Sequence, residues 1–190
     1  MQKVCAARTA WWRTAQGAAH PPRGALILAG GGGGWYNHIA MTVQVYKELV
    51  AASLAKNYCL ASSYMGEVYD IVGTHESKDE VLTHKVCLVS FCEGEEVVRE
   101  QIERLPEIAL SGLRSPFCDK RSIVLRAFAM EGPSFDLIQQ VRAYKFTRAT
   151  KGQFWGYAEC RLVLVDTRSG VVYSNLAAQA DRGLFDFAPR

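Results

Sequence analysis

Apolar residues along this chain follow two regular periods, and each period predicts an element. Residues 25–29 form a continuous apolar run of strand length, as expected of a strand covered on both faces. Five glycines follow at 30–34, and then Ile39, Val43, Tyr46, Val50 and Leu54 recur at helical spacing. Strand, glycine loop and helix make the opening of an α/β unit. Short strands are expected at 58–62 and 68–72, and the polar stretch 74–80 predicts a loop or a helix start. Residues 86–91 predict a second buried strand. Residues 95–105 predict a helix whose stripe is Val98, Ile102, Leu105 and Ala109, with Glu95 and Glu96 suited to its positive end. Pro106 is expected to end or kink it.

Gly112 and Pro116 mark a loop, residues 122–128 a strand, and residues 131–134 a turn. Residues 135–148 are expected to contain a long strand ending in Tyr144 and Phe146, followed by a turn at 150–153. Along 157–165, Ala158, Cys160, Leu162 and Leu164 alternate with Tyr157, Glu159 and Arg161, the pattern of a half-buried strand. Residues 166–170 predict a hairpin turn, with Gly170 free to take positive φ, and residues 171–174 return. These last strands are expected to form a three-stranded antiparallel meander. The fold class is therefore α/β, a mixed sheet with flanking helices and a carboxy-terminal meander. Residues 1–23 are expected to be an irregular or targeting-like leader, and residues 24–190 a single domain.

Composition agrees with a soluble globular domain: hydrophobic residues are 49% and charged residues 22% of 190. No apolar run approaches the ~20 residues that span a bilayer. The net charge of +3 conceals a segregated distribution. Residues 1–47 have a net charge of +5, residues 48–111 of −7 and residues 112–190 of +5. An acidic middle between basic ends can steer partners or serve only as solvated surface. The six cysteines, at 5, 59, 87, 92, 118 and 160, include no CxxC pair, and buried free thiols are expected. The leader is rich in Ala and Arg and lacks acids, as transit segments do. Leu28, Ala29 and Gly30 look like the start of a lipoprotein cleavage box in which Gly31 stands where the lipid-bearing Cys would be.

Candidate chemistry is sparse. The glycine run invites a phosphate-cradle reading, but no GxxxxGK[ST] is present and Lys47 lies too far along. His38 reads as a helix-start surface residue. No His/Cys/Asp/Glu cluster has metal spacing, so no metal and no cofactor are expected. Cys92 follows a strand and precedes Gly94 and a helix, a placement suited to a nucleophile, and His75 follows another expected strand. The run 25–29 with Trp35, Tyr36, Asn37, His38 and the apolar residues to Tyr46 resembles the first strand and helix of the legumain-like and GPI-transamidase-like peptidases. That resemblance implies a cysteine hydrolase, although the family's His-Gly is absent because Glu76 follows His75. In the last third, Arg142, Lys145, Arg148, Lys151, Arg161 and Arg168 interleave with Tyr144, Phe146, Trp155 and Tyr157. Basic and aromatic residues on one sheet face suit single-stranded RNA, but no RNP1-like run accompanies them.

A broader resemblance covers residues 83–175. The strand at 84–91, the following helix, the strand at 122–126, Gly132 to Ile138, and the strand–Asp–x–x–x–Gly–strand pattern at 162–174 resemble the α/β domain of bacterial envelope proteins. These are the curli-secretion lipoproteins and the amino-terminal domain of the Tol translocation protein. The resemblance implies an envelope location and action through protein contacts, whereas a transit reading of the leader implies an organelle. The expected function is a non-catalytic protein-binding or assembly module. Its binding residues are an exposed surface of the meander, Tyr157, Arg161, Arg168 and Tyr173. An RNA-binding protein and a cysteine hydrolase using Cys92 are the alternatives.

Overall fold

Three parallel strands, four further strands paired antiparallel to their neighbours and helices on both sides make up the described part of this chain. The structure is a computed structural model that describes residues 42–78, 81–113, 119–150 and 155–187, all within a unit spanning Ile39–Arg190. The expected leader, the strand at 25–29, the glycine loop and most of the turn at 150–153 lie outside the described residues. Helix α1, Val43–Leu54, begins at Thr42, whose hydroxyl accepts from the Val45 N–H at 3.3 Å. It buries Tyr46, Val50 and Leu54 and leaves Val43 exposed.

Strands β1, Cys59–Tyr64, and β2, Glu67–Lys78, form a hairpin closed by Met65 at φ 53° and Gly66 at φ 85°. Two consecutive positive φ values give a turn whose twist matches that of the strands it joins. Strand β2 continues through residues 74–78, where a loop or helix start was expected. Thr74 to Lys78 pair antiparallel with Val86 to Leu82 of β3, Leu82–Phe91. Backbone pairing with a long neighbour holds this polar stretch extended, which side-chain polarity alone does not reveal.

Strand β3 runs parallel to β4, Lys120–Met130, and α2, Glu95–Ser111, connects them. Pro106 was expected to end or kink α2; it does not end it, and the helix runs on for five residues past it. Proline removes one N–H and crowds the preceding turn. Leu105 and Ala109, on either side of it, are completely buried and keep both halves on one apolar stripe.

The segment 135–148 also departs from expectation. It holds α3, Phe135–Ala143, and only then β5, which spans Phe146–Thr150. Ser134 caps α3 by accepting from the Leu137 N–H at 3.2 Å, and Asp136 lies in the first turn. Both features favour a helix start. Strand β6, Gly156–Asp166, pairs parallel with β4 along its whole length. Strand β5 pairs antiparallel with residues 156–160 of β6, and β7, Val171–Ser174, pairs antiparallel with residues 163–166. So β5 and β7 share one edge of β6, end to end, and β4 holds the other edge. The expected three-stranded meander is replaced by this arrangement, because β6 already has a full-length parallel neighbour.

The result is an open α/β sheet of seven strands in the order β1-β2-β3-β4-β6-β5, with β7 beside β6. On one face, Val72, Leu88, Val124, Phe128, Leu162 and Leu164 pack under α2 and α3. On the other, Ile71, Cys87, Val89, Leu125, Val163 and Val165 pack under α1 and a carboxy-terminal 3-10 helix, Leu176–Leu184. Among the described residues no helix is long and apolar enough to cross a membrane.

Candidate binding surface

Strand alternation determines which expected site residues can share a surface. Tyr157 and Arg161 lie on the same side of β6 as Val163 and Val165, the face of α1 and the 3-10 helix. Tyr173 stands opposite Leu164 and packs with the core under α2 and α3, so it belongs to the other face. Arg168 sits in the β6–β7 turn, ~30 Å along the strand from Tyr157. The four residues therefore divide between two faces and a turn, and only Tyr157 and Arg161 come together.

Around that pair the sheet carries a compact set of side chains. The rings of Trp155 and Tyr157 stack with centroids 5.8 Å apart and planes 9° from parallel. The Arg121 guanidinium lies 5.4 Å from the Tyr157 ring centroid, within the range of a cation–π contact. The Tyr157 hydroxyl donates to Glu159 at 2.9 Å. Arg161 is neutralised twice, with Nε at 2.8 Å from Glu159 and a terminal nitrogen at 2.8 Å from Asp181.

The wider basic-aromatic set is not on one face either. Phe146 pairs opposite Cys160 and Arg148 opposite Ala158, which puts both on the α2/α3 side. Tyr144 also packs against that core, whereas Trp155 and Tyr157 look the other way. Arg142 lies over the Tyr173 ring at 5.3 Å, and Arg182 donates to the Val172 carbonyl at 2.8 Å, blunting the free edge of β7. Lys151 lies outside the described residues.

Ligands of open α/β sheets commonly bind beyond the carboxyl ends of the parallel strands. Here those ends are held together by three carboxylates. Asp70 accepts from the Phe91 N–H at 2.9 Å and pairs with Lys47 at 2.8 Å. Glu95 accepts from the backbone N–H and hydroxyl of Ser134 at 2.6 and 2.8 Å, joining the starts of α2 and α3. Asp166 accepts from the N–H groups of Gly132 and Arg168 and from the Ser169 hydroxyl. Burial alone would raise the Asp70 and Asp166 carboxyls, but these bonds outweigh it and hold both below the usual range. The Ser134 N–H does the same for Glu95, with Arg99 assisting.

Cys92 lies at this end, half-buried, its thiol near the Ser90 carbonyl. Burial pushes the thiol up, against the opposing pull of Arg126. His75 pairs with Lys85, seven residues before Cys92 on β3, which separates them by ~23 Å along the strand. His84 lies at the same far end of β3. Among the described residues no imidazole reaches Cys92. Of the other cysteines described, Cys87 and Cys160 are buried and Cys59 is exposed, all as free thiols. No group of three His, Cys, Asp or Glu side chains among the described residues is placed to hold a metal.

The residue that sequence reasoning overlooked is Arg126, in the middle of β4 and 1% exposed. Its guanidinium donates to the carbonyls of Leu88 at 2.8 Å and Ala127 at 3.3 Å, to the Ser90 hydroxyl at 2.8 Å, and to the Gln101 side-chain oxygen. The rings of Phe128 and Tyr69 lie 4.2 and 5.1 Å from it. Burial lowers its pKa to about 10. The available signal was one charged residue inside the otherwise apolar run 123–128, a position where charge is costly unless it is compensated. Comparison with protein-family models, curated proteins and solved structures finds no match to this chain.

Proposed function

We propose that the protein is a non-catalytic α/β module that binds another protein through the sheet face bearing Trp155, Tyr157, Arg121 and Arg161. The observation that carries this reading is the double ion pair of Arg161 with Glu159 and Asp181. A nucleic-acid face works by neutralising phosphates with free cations, and here the central cation is already neutralised. Stacked aromatics with a neighbouring arginine, surrounded by paired charges, match instead the anchor-and-rim arrangement of protein interfaces. The engagement of Asp70, Glu95 and Asp166 in holding loops also favours a binding role over a catalytic one. The resemblance of residues 83–175 to envelope α/β domains that act through protein contacts accords with this reading.

A photo-crosslinking side chain placed at Tyr157 tests it, with the same group at Glu100, exposed on α2, as the control. The expected result in the cell of origin is a discrete protein adduct from position 157 that is absent from position 100. A parallel titration with mixed-sequence single-stranded RNA is expected to show no salt-sensitive binding. RNA binding that collapses with salt and is weakened by Arg121→Glu would replace the reading with the nucleic-acid one.

A further inference from the structure

Arg126 is a buried cation whose hydrogen-bond partners are all neutral. Moving a charge out of water is costly, and proteins normally offset it with an opposite charge. Among the described residues no carboxylate lies within ion-pair distance of this guanidinium, and its acceptors are two carbonyls, a hydroxyl and a side-chain amide. The nearby carboxylates are already taken. Asp70 pairs with Lys47 and Glu67 with Arg104.

Although only 1% exposed, Arg126 borders a cleft, where Ser90 and Gln101 stand against its guanidinium. A cavity of about 70 Å³ between β2, the end of β3 and α2 has Glu67, Tyr69, Ser90, Gln101, Arg104 and Arg126 among its lining residues, beside the aliphatic Val68 and Ile108. It therefore combines one charge-compensated pair with one uncompensated cation. The terminal nitrogen of Arg126 that faces Ser90 and Gln101 meets the two lining side chains able to exchange roles. A hydroxyl and a carboxamide each accept in one orientation and donate in another.

From this geometry we infer that the cleft binds a single carboxylate group, which replaces Ser90 and Gln101 as the acceptor facing Arg126. Ser90 then turns its hydroxyl hydrogen, and Gln101 its amide hydrogens, toward the two carboxylate oxygens. The bonds from Arg126 to Ser90 and Gln101 already have an ionised donor, and a carboxylate makes the acceptor ionised as well. The space suits one small group, and the single uncompensated positive charge matches a monoanion. Glu67 is paired with Arg104 in the cleft and Asp70 with Lys47 beside it, so Arg126 is the cation left without an opposite charge. The carboxylate could be carried by a small organic acid or by the end of a peptide chain.

The test uses the full chain and two probes. Propionate represents a small acid. A blocked tripeptide with a free carboxyl terminus, paired with its amidated twin, represents a chain end. Amide chemical shifts of Ser90 and Gln101 are followed at constant ionic strength against chloride. Saturable shifts with propionate alone identify a small-acid site, and shifts with the free-carboxyl peptide but not its amide identify a chain-end site. Either supports the inference if Gln101→Leu weakens binding roughly tenfold and Arg126→Met abolishes it. Arg126→Met exchanges a buried cation for an apolar side chain of similar length but leaves its four acceptors without a donor, and the Gln101→Leu variant retains the test if Arg126→Met does not fold. No saturable shift with either probe, or equal affinity in the wild type and Gln101→Leu, would overturn it. Phosphate competing at equal strength would also overturn the preference for a monoanion.

Discussion

Asn175 is completely buried and makes four hydrogen bonds with one side chain. Its oxygen accepts from the N–H groups of Leu162 at 3.0 Å and Ala178 at 3.1 Å, and its nitrogen donates to the carbonyls of Tyr144 at 3.1 Å and Cys160 at 3.4 Å. One residue thus ties β6 to the end of α3 and caps the 3-10 helix. Asn175→Ala leaves several buried backbone groups unpaired and is expected to cost about 3 kcal/mol, read from urea denaturation. Asn175→Asp keeps the acceptor but turns a donor toward two carbonyls into a second acceptor, so it too is expected to destabilise. A midpoint unchanged in both variants would mean that water restores the lost bonds. Gly66, at φ 85°, gives a second prediction at this scale. Gly66→Ala forces a side chain into the left-handed region and is expected to cost about 1 kcal/mol, while the open space around its Cβ position excludes a steric cause. Asn175 was not readable as special from the sequence, and Arg126 showed only as a lone charge in an apolar run, without its partners. Each acts through partners far along the chain, and no local pattern encodes those pairings.

At the scale of elements, apolar positions were the reliable guide and polar stretches were not. The stripe Val98, Ile102, Leu105 and Ala109 and the alternation of Leu162 and Leu164 both became core, because burial acts directly on those side chains. Leu162→Ala is expected to cost ~2–5 kcal/mol as a truncation at a completely buried position. The stretch 135–148 was misread because its aromatic and β-branched residues suggest a strand. Leu137, Ile138, Val141 and Tyr144 are in fact spaced for a helix, and Ser134 supplies the cap. Because the Ser134 hydroxyl also donates to Glu95, Ser134→Ala removes a cap and one of the two hydrogen bonds that link the helices, the backbone N–H bond remaining. The expected loss is about 1–2 kcal/mol, and Glu95→Gln is expected to recover little of it. A double-mutant cycle between positions 95 and 134 checks this, and additive effects would show that only the cap matters. Strand β2 beyond residue 74 was unreadable for the opposite reason. Its partner β3 holds it, and its own polar side chains carry no burial signal.

For the whole molecule, the mixed sheet with flanking helices was readable from the sequence, but the strand order was not. Order depends on which edges are already occupied, and β4 occupying one edge of β6 is what prevented the meander. The same topology gathers Asp70, Glu95 and Asp166 at the carboxyl ends of β3, β4 and β6, from segments far apart in sequence. All three carboxyls are held below their ordinary range by hydrogen bonds from loop N–H groups, hydroxyls or a basic neighbour. A carboxyl depressed in the folded state contributes stability that is present above its unfolded value of about 4 and is lost as pH falls through its folded value. Over that acid window the unfolded chain binds more protons, so stability falls by about 1.4 kcal/mol per pH unit for each carboxyl that differs. The turns after β3, β4 and β6 are expected to loosen first, because these carboxylates hold them. Asp166→Asn tests the assignment. It removes an anion that accepts from Gly132, Arg168 and Ser169, so stability at neutral pH is expected to drop. The acid slope is expected to flatten by up to one proton's share, because one depressed group no longer titrates. Urea midpoints measured from neutral pH down to the acid limb, for the wild type and Asp166→Asn, supply both readings. A variant that loses stability at neutral pH but keeps the full acid slope would show that Asp166 acts only through geometry, and that other carboxyls carry the linkage.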